Sequence, residues 1–222
     1  MIQIKIKKIP FFMIALSIGV FDIITDYYID QHWHRLIWVV EIVILLVIAF
    51  KLNEFFNVLN AKVYIDPLTG LMNRLYLYFN LERKLENRHK YISLLMLDID
   101  NFKSINDSYG HLEGDKVLIA ISKIINQNIT DEDFVVRWGG EEFIIVLNNI
   151  SGKAAYFVGQ RIRKEVARKK FTCDEKTYTV TMSIGIASTK SQISVNDFVY
   201  KADKALYKAK EKKNAVEYDA NG

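Results

Sequence analysis

The chain has 222 residues, 50% of them apolar and 25% charged, with one cysteine and a formal net charge of +4. That composition excludes a disordered chain and a disulfide-built scaffold, and the lone Cys173 suits a reducing compartment. Residues 1–61 hold 5 basic and 5 acidic side chains, leaving 25 and 21 for residues 62–222, a surplus of 4 that is too mild and too interspersed for nucleic-acid binding but suits an anionic small molecule.

Residues 9–28 and 36–50 are two apolar segments separated by the polar stretch IDQHWHR, the pattern of a helical hairpin. The first reaches about 30 Å and the second about 22 Å as helices, and Trp33, Leu52, Phe55 and Phe56 can extend the second. Lys5, Lys7 and Lys8 precede the first segment, Lys51 and Lys62 follow the second, and the intervening loop offers only Arg35. The positive-inside bias therefore predicts a multi-pass in–out–in membrane anchor over residues 1–50, with both ends in the cytoplasm. A cleaved signal peptide is excluded because no small-x-small site follows and a second apolar run does. A soluble two-helix cap is the competing form, since Asp22, Asp26 and Glu41 each cost about 2.5–3.5 kcal/mol at a bilayer centre. Counted from the cytoplasmic ends, however, these acids fall towards the outer side near Asp30, His32 and His34, a wet rim with Trp33, Tyr27 and Tyr28 as aromatic anchors rather than a spaced metal or pH sensor.

Residues 51–65 read as a short amphipathic helical linker, too short to establish a coiled coil. Asp66-Pro67-Leu68-Thr69-Gly70 is turn chemistry and opens a domain over 66–222. Periodicity then predicts a helix over 73–89, a buried strand over 91–98, a helix over 112–127, strands near 133–137 and 142–147 around Gly139-Gly140, a helix over 151–168, a strand within 177–188, a helix over 196–212 and a short strand at 215–218. Without its flanks the order is βαββαβ, an α+β ferredoxin-like sandwich with helices on one or both faces.

Asp98 ends an apolar strand, and Glu141 and Glu142 follow Gly139-Gly140 in a tight hairpin. If their strands are neighbours, the acids meet at one sheet edge, where repulsion calls for a hard divalent cation. Residues 98–115, DIDNFKSINDSYGHLEGD, read as an irregular connection facing a nucleotide. Lys103 supplies a point charge for phosphate, Asn106 and Asp115 an amide and carboxylate for a purine edge, and the glycine pair a backbone without Cβ beside phosphates.

DPLTGLMNR (66–74), LDIDNFKSINDSYGHLEGD (97–115), GGEEF (139–143) and ALYKAK (205–210) together resemble the motif set of GGDEF-domain diguanylate cyclases, over about 160 residues. The resemblance implies a palm-type nucleotidyl cyclase fold and condensation of two GTP into cyclic di-GMP and pyrophosphate by a homodimer with two Mg²⁺ (or Mn²⁺) ions. It implies metal ligation by the Asp98 side chain, the Ile99 carbonyl and Glu141, with Glu141 also accepting the proton of the attacking 3′ hydroxyl and Glu142 as a second motif acid. Asn106, His111 and Asp115 match substrate-contacting positions, and Lys103 and Lys210 match phosphate-facing lysines. An ionised Asp115 accepts from guanine N1–H and the N2 amine but meets an acceptor at adenine N1, so it favours GTP.

Two positions depart from the family pattern. The Arg-x-x-Asp inhibitory site is Thr130-Asp131-Glu132-Asp133 here, without the Arg, which predicts weak product inhibition. Glu211-Lys212-Lys213-Asn214 stands, one residue longer, where the family usually carries Gly-Arg-Asn. The basic run from Arg161 to Lys170 reads as a solvated helix end, and Cys173 has no companion motif. The expectation is a diguanylate cyclase tethered to the bacterial inner membrane by a two-helix anchor, its catalytic domain cytoplasmic and without nucleic-acid partners; the alternative is a catalytically silent receptor for GTP or cyclic di-GMP.

Overall fold

The computed structural model describes Val20, residues 31–85 and residues 90–219, so the first apolar segment with Asp22 and Asp26, and Asp30 of the loop after it, lie largely outside the described residues. The chain divides into two compact units, residues 1–59 and 60–222.

Helix α1 runs Gln31–Tyr64 without a break. The expected short linker helix over 51–65 is therefore continuous with the second apolar segment, because no Pro or Gly interrupts residues 31–64. Within it Leu36–Phe55 is long and apolar enough to cross a membrane, with 20 residues at a mean hydropathy of 2.4, the one such helix among the described residues. The predicted extension through Leu52 and Phe55 is what gives it that length.

In the second unit, β1 is Met72–Asn73, α2 Arg74–Leu85, β2 Ile92–Ile99, α3 Phe102–Tyr109, α4 His111–Gln127, β3 Phe134–Arg137, β4 Glu142–Asn148, α5 Gly152–Arg168, β5 Lys170–Cys173, β6 Lys176–Thr179, β7 Met182–Thr189, α6 Val195–Lys212 and β8 Val216–Tyr218. Six strands form one mixed sheet in the order β1-β3-β4-β2-β7-β8, whose inner β3-β4-β2-β7 ribbon is antiparallel throughout and carries the βαββαβ order. The run ISLLMLDI makes β2 the central strand because apolar residues serve both of its faces. Leu95, Leu97 and Ile99 pack with Val117, Ile121 and Ile125 of α4 and with Ile162 and Val166 of α5. Ile92, Leu94 and Met96 pack instead with Leu77 and Leu81 of α2 and with Phe198, Ala202 and Leu206 of α6. Helices therefore cover both faces, and each fully buried Leu or Ile contributes about 1.5–3 kcal/mol. Gly185 of β7 permits the close approach of α6, since a Cβ there would run into the Leu206 N and Ala202 O of the helix backbone.

Three features differ from expectation, the first being β1, a short edge strand where none was predicted. Residues 98–115 are not irregular: α3 and the start of α4 fill most of the stretch, α3 started by Asn101 in the left-handed region (φ 56°) and ended by Gly110 (φ 84°). The predicted strand within 177–188 is two strands, β6 and β7, parted at Val180-Thr181. The first belongs to a separate β5–β6 hairpin that turns through Asp174 and Glu175, both at positive φ.

Candidate active site

Register delivers the acids. Asp98 on β2 is paired with Glu142 on β4 and with Ser183 on β7, and the Ile99 amide donates to the Glu141 carbonyl at 3.4 Å. Asp98, Ile99, Glu141 and Glu142 thus share one end of the sheet. Like charges directly opposite across a ladder repel, and the titration of the group reflects it. Burial, with Asp100 adding to it, raises the Asp98 carboxyl despite the opposing pull of Lys210. Burial raises Glu141 and Glu142 as well, each aggravated by the Asp98 charge, and Asp203 adds to the effect on Glu142.

Lys210, from the last turn of α6, is the cation among them. Its Nζ donates to Asp98 Oδ1 at 2.6 Å and to the Ile99 carbonyl at 3.2 Å, and lies 3.2 Å from Asp100 Oδ1. The resemblance made Lys210 phosphate-facing; the structure seats it on the acids. Asp100, given no role from sequence, is 5% exposed. It accepts from Thr181 Oγ1 at 2.7 Å, Ser183 Oγ at 2.8 Å and the Asn214 amide at 2.9 Å. Burial alone would raise its carboxyl, but those donors and Lys210 hold it below the usual carboxylate range. Asp100 therefore ties β2 to β7 and to the chain after α6.

The glycine pair works through its surroundings. A Cβ on Gly139 would press on Glu142 Oε2, whereas a Cβ on Gly140 would meet open space. Arg137 holds the hairpin, donating to the Gly140 carbonyl from Nε at 3.2 Å and Nη2 at 2.7 Å. Its Nη1 reaches Asp66 Oδ1 at 3.1 Å and Oδ2 at 3.2 Å, and Asp66 also closes its own turn by accepting from the Thr69 amide and hydroxyl. No pattern in the sequence links Asp66 of the entrance turn to the glycine hairpin.

On the second part of the site, exposed Lys103 and half-buried Asn106 lie on α3, with exposed His111 and half-buried Asp115 on the first turns of α4. Asn106 packs against Gly114, the residue before Asp115, where any Cβ would collide with Asn106 Oδ1. Gly114 was missed, although its place between Glu113 and Asp115 was the available signal. Lys213, at φ 52°, bonds Asn101 Oδ1 through Nζ at 2.8 Å, at the turn leading into Lys103. The basic run is not all solvated: Arg161 bonds the Asn128 carbonyl and Arg163 the Asn214 side chain, both at 2.7 Å.

Among the described residues no three His, Cys, Asp or Glu side chains converge as a preformed metal cage. The donor set nonetheless fits a hard divalent ion. It is all oxygen, a main-chain carbonyl stands beside the carboxylates, and a cationic ammonium already sits among them; Mg²⁺ commonly takes one or two carboxylates and completes its shell with water and substrate phosphates.

The family model described as "Diguanylate cyclase, GGDEF domain" matches residues 63–215. Diguanylate cyclase A of Treponema denticola is 46% identical over 144 residues, covering 64% of this chain and 38% of that protein. Diguanylate cyclase DgcP of Pseudomonas aeruginosa is 39% identical over 152 residues, 67% of this chain and 23% of its own length. The chain thus spans well under half of these relatives. Among solved structures, the coiled coil and GGDEF domain of DgcB from Caulobacter crescentus in complex with c-di-GMP superposes with a TM-score of 0.75 at 26% identity, covering 81% of this chain and 98% of that one. The active GGEEF domain of a diguanylate cyclase from Vibrio cholerae superposes at 0.59 with 34% identity, covering 67% and 97%.

Proposed function

The chain belongs to the GGDEF-domain diguanylate cyclase family, and from that premise we propose that it condenses two GTP into cyclic di-GMP with release of two pyrophosphates. The observation that carries the reading is the pairing of Asp98 with Glu142 beside the Ile99 carbonyl. Two Mg²⁺ (or Mn²⁺) ions, held by Asp98, the Ile99 carbonyl and Glu141, would neutralise triphosphate charge and polarise the reacting oxygens.

The chain's own residues do the rest. Asn106 and Asp115 hold the guanine edge, Asp115 accepting from N1–H and the N2 amine. His111 borders the same pocket, and Lys103 and Lys210 hold phosphate, so binding releases the Lys210 ammonium from Asp98. Gly140 leaves room for the triphosphate, and Gly139 leaves Glu142 its place in the hairpin. Glu141 accepts the 3′ hydroxyl proton as that oxygen bonds to the α-phosphorus of the facing GTP and the bond to the β-phosphate breaks. A second, identical step closes the ring. Each domain holds one GTP, so two copies must face each other.

The chain is membrane-tethered in this reading, by a hairpin whose second helix contains Leu36–Phe55. Support comes from the exposure of Leu46 at 64% and Phe50 at 60%, and from the lysines flanking the apolar segments. The domain then lies in the cytoplasm at the bacterial inner membrane, and α1 is the path by which a membrane signal governs pairing.

The test is to incubate the purified chain with Mg²⁺ and GTP and follow cyclic di-GMP. GTP binding without product would replace the enzyme with a nucleotide receptor. Removal of residues 1–60 should leave activity strictly dependent on protein concentration, and recovery of the full chain in the soluble fraction would overturn the tether.

A further inference from the structure

The β5–β6 hairpin stands outside the main sheet and has no part in the chemistry above. Its Tyr178 ring lies flat on Tyr109, with centroids 4.5 Å apart and planes 10° from parallel, and it also stacks on Phe171 at 5.6 Å. Tyr109 is the last residue of α3, and Gly110 then turns the chain into α4. The Tyr178 hydroxyl donates to Glu113 Oε1 at 3.0 Å, while Lys116 Nζ donates to Glu113 Oε2 at 2.8 Å. Glu113 is only 4% exposed, and it sits between His111 and Asp115 in the first turns of α4.

A buried carboxylate is a poor choice for stability alone, since an apolar side chain of similar volume serves as well or better. What the phenol–carboxylate–ammonium chain adds is direction. It fixes the hairpin to both sides of the α3–α4 corner, to Tyr109 by stacking and to Glu113 by a hydrogen bond. That corner sets the separation of Asn106, on α3, from Asp115, on α4, and Gly114 leaves no slack between them because any side chain there would strike Asn106.

We propose that Tyr178 and Glu113 are positioning residues for purine recognition, holding the α3–α4 corner so that the Asn106 amide and the Asp115 carboxylate present themselves at the spacing of a guanine edge. The inference rests on GTP being the substrate. Neither residue touches the nucleotide; both act through Asn106 and Asp115. A loosened corner weakens the two-point contact to guanine, whereas adenine, which never had the Asp115 contact, is little affected.

The experiment is equilibrium titration of the full chain with GTP and separately with ATP, Ca²⁺ replacing Mg²⁺, for wild type, Tyr178→Phe, Glu113→Ala and Glu113→Gln, with melting temperature measured alongside. Tyr178→Phe keeps the stacked rings and removes only the hydroxyl. GTP affinity should fall about three- to tenfold in Tyr178→Phe and Glu113→Ala, the loss of one aligned hydrogen bond, with ATP affinity within twofold of wild type. Glu113→Gln, which still accepts from Tyr178, should recover most of the loss. Unchanged GTP affinity in both Tyr178→Phe and Glu113→Ala, or an equal loss for GTP and ATP that follows the melting temperature, overturns the inference while the substrate reading stands. A wild-type chain that takes up no GTP overturns both.

Discussion

Asp98 and Glu142 stand directly opposite each other on neighbouring antiparallel strands. With Glu141 they form a group whose carboxyls titrate above their ordinary values, burial being the main cause. A raised carboxyl pKa means that the folded chain binds protons more tightly than the unfolded one. Stability therefore falls as pH rises from about 4 through the raised values. Mg²⁺ should accordingly raise the melting temperature more at pH 8 than at pH 5. Asp98→Asn should melt about 2–4 °C higher than wild type without divalent ions, the shift expected for about 1 kcal/mol, and should lose most of the Mg²⁺ response. A variant that melts lower than wild type in chelator would contradict this account.

Arg137 spans from the Asp66 carboxylate to the Gly140 carbonyl, so the turn at the entrance of the domain supports the hairpin that carries the acids. Asp66→Asn should reduce kcat by about tenfold, roughly 1.4 kcal/mol, with GTP affinity nearly intact. Because the two residues act through one contact, Asp66→Asn with Arg137→Met should be no worse than the more damaging single change. Additive losses would show that they act separately.

Gly114→Ala adds one methyl group that must displace the Asn106 amide. GTP affinity should drop by about tenfold or more while the domain stays folded, since α4 itself tolerates alanine better than glycine. Wild-type affinity in this variant would remove Asn106 from the base site.

Asp115→Ser takes away the acceptor for guanine N1–H and the N2 amine, so discrimination between GTP and ATP should collapse by about 10²-fold or more. Competition between the two nucleotides measures it, and undiminished preference for GTP would show that another group reads the base.

Asp133 is fully engaged: Oδ2 accepts from the Thr130 hydroxyl at 2.7 Å and from its amide at 3.1 Å, and Oδ1 accepts from the Asn148 amide at 2.9 Å. A carboxylate closing its own turn, without the family's Arg, should give cyclic di-GMP little grip. Product at tens of micromolar should leave the initial rate unchanged. Thr130→Arg, which restores the Arg-x-x-Asp pattern and removes the hydroxyl holding Asp133, should introduce inhibition. Strong inhibition of the wild-type chain would falsify this reading.

Much of the domain could be read in the chain because its signals are local. The apolar run of β2 ends at the residue where a carboxylate appears, the glycine pair marks the hairpin that carries the next two, and helix periodicity located α2, α4, α5 and α6. α3 was unreadable because it is short and polar and commits only Phe102 and Ile105 to the core. The β5–β6 hairpin was hidden because Asp174-Glu175 adopts positive φ without the Asn-Gly or Asp-Gly pair that usually announces such a turn.

The sequence by itself determined the family motifs, the βαββαβ order of the core elements and the types of group available for chemistry, since each depends on residues within a few positions of one another. Only the tertiary structure decided that Lys210 bonds Asp98 across 112 residues, that Asp100 is a buried tie, that Arg137 joins Asp66 to the hairpin, and that Tyr178 reaches Glu113. Those pairings follow from strand register and from which helix face meets which strand, and no local pattern of residues encodes the partner of a charge.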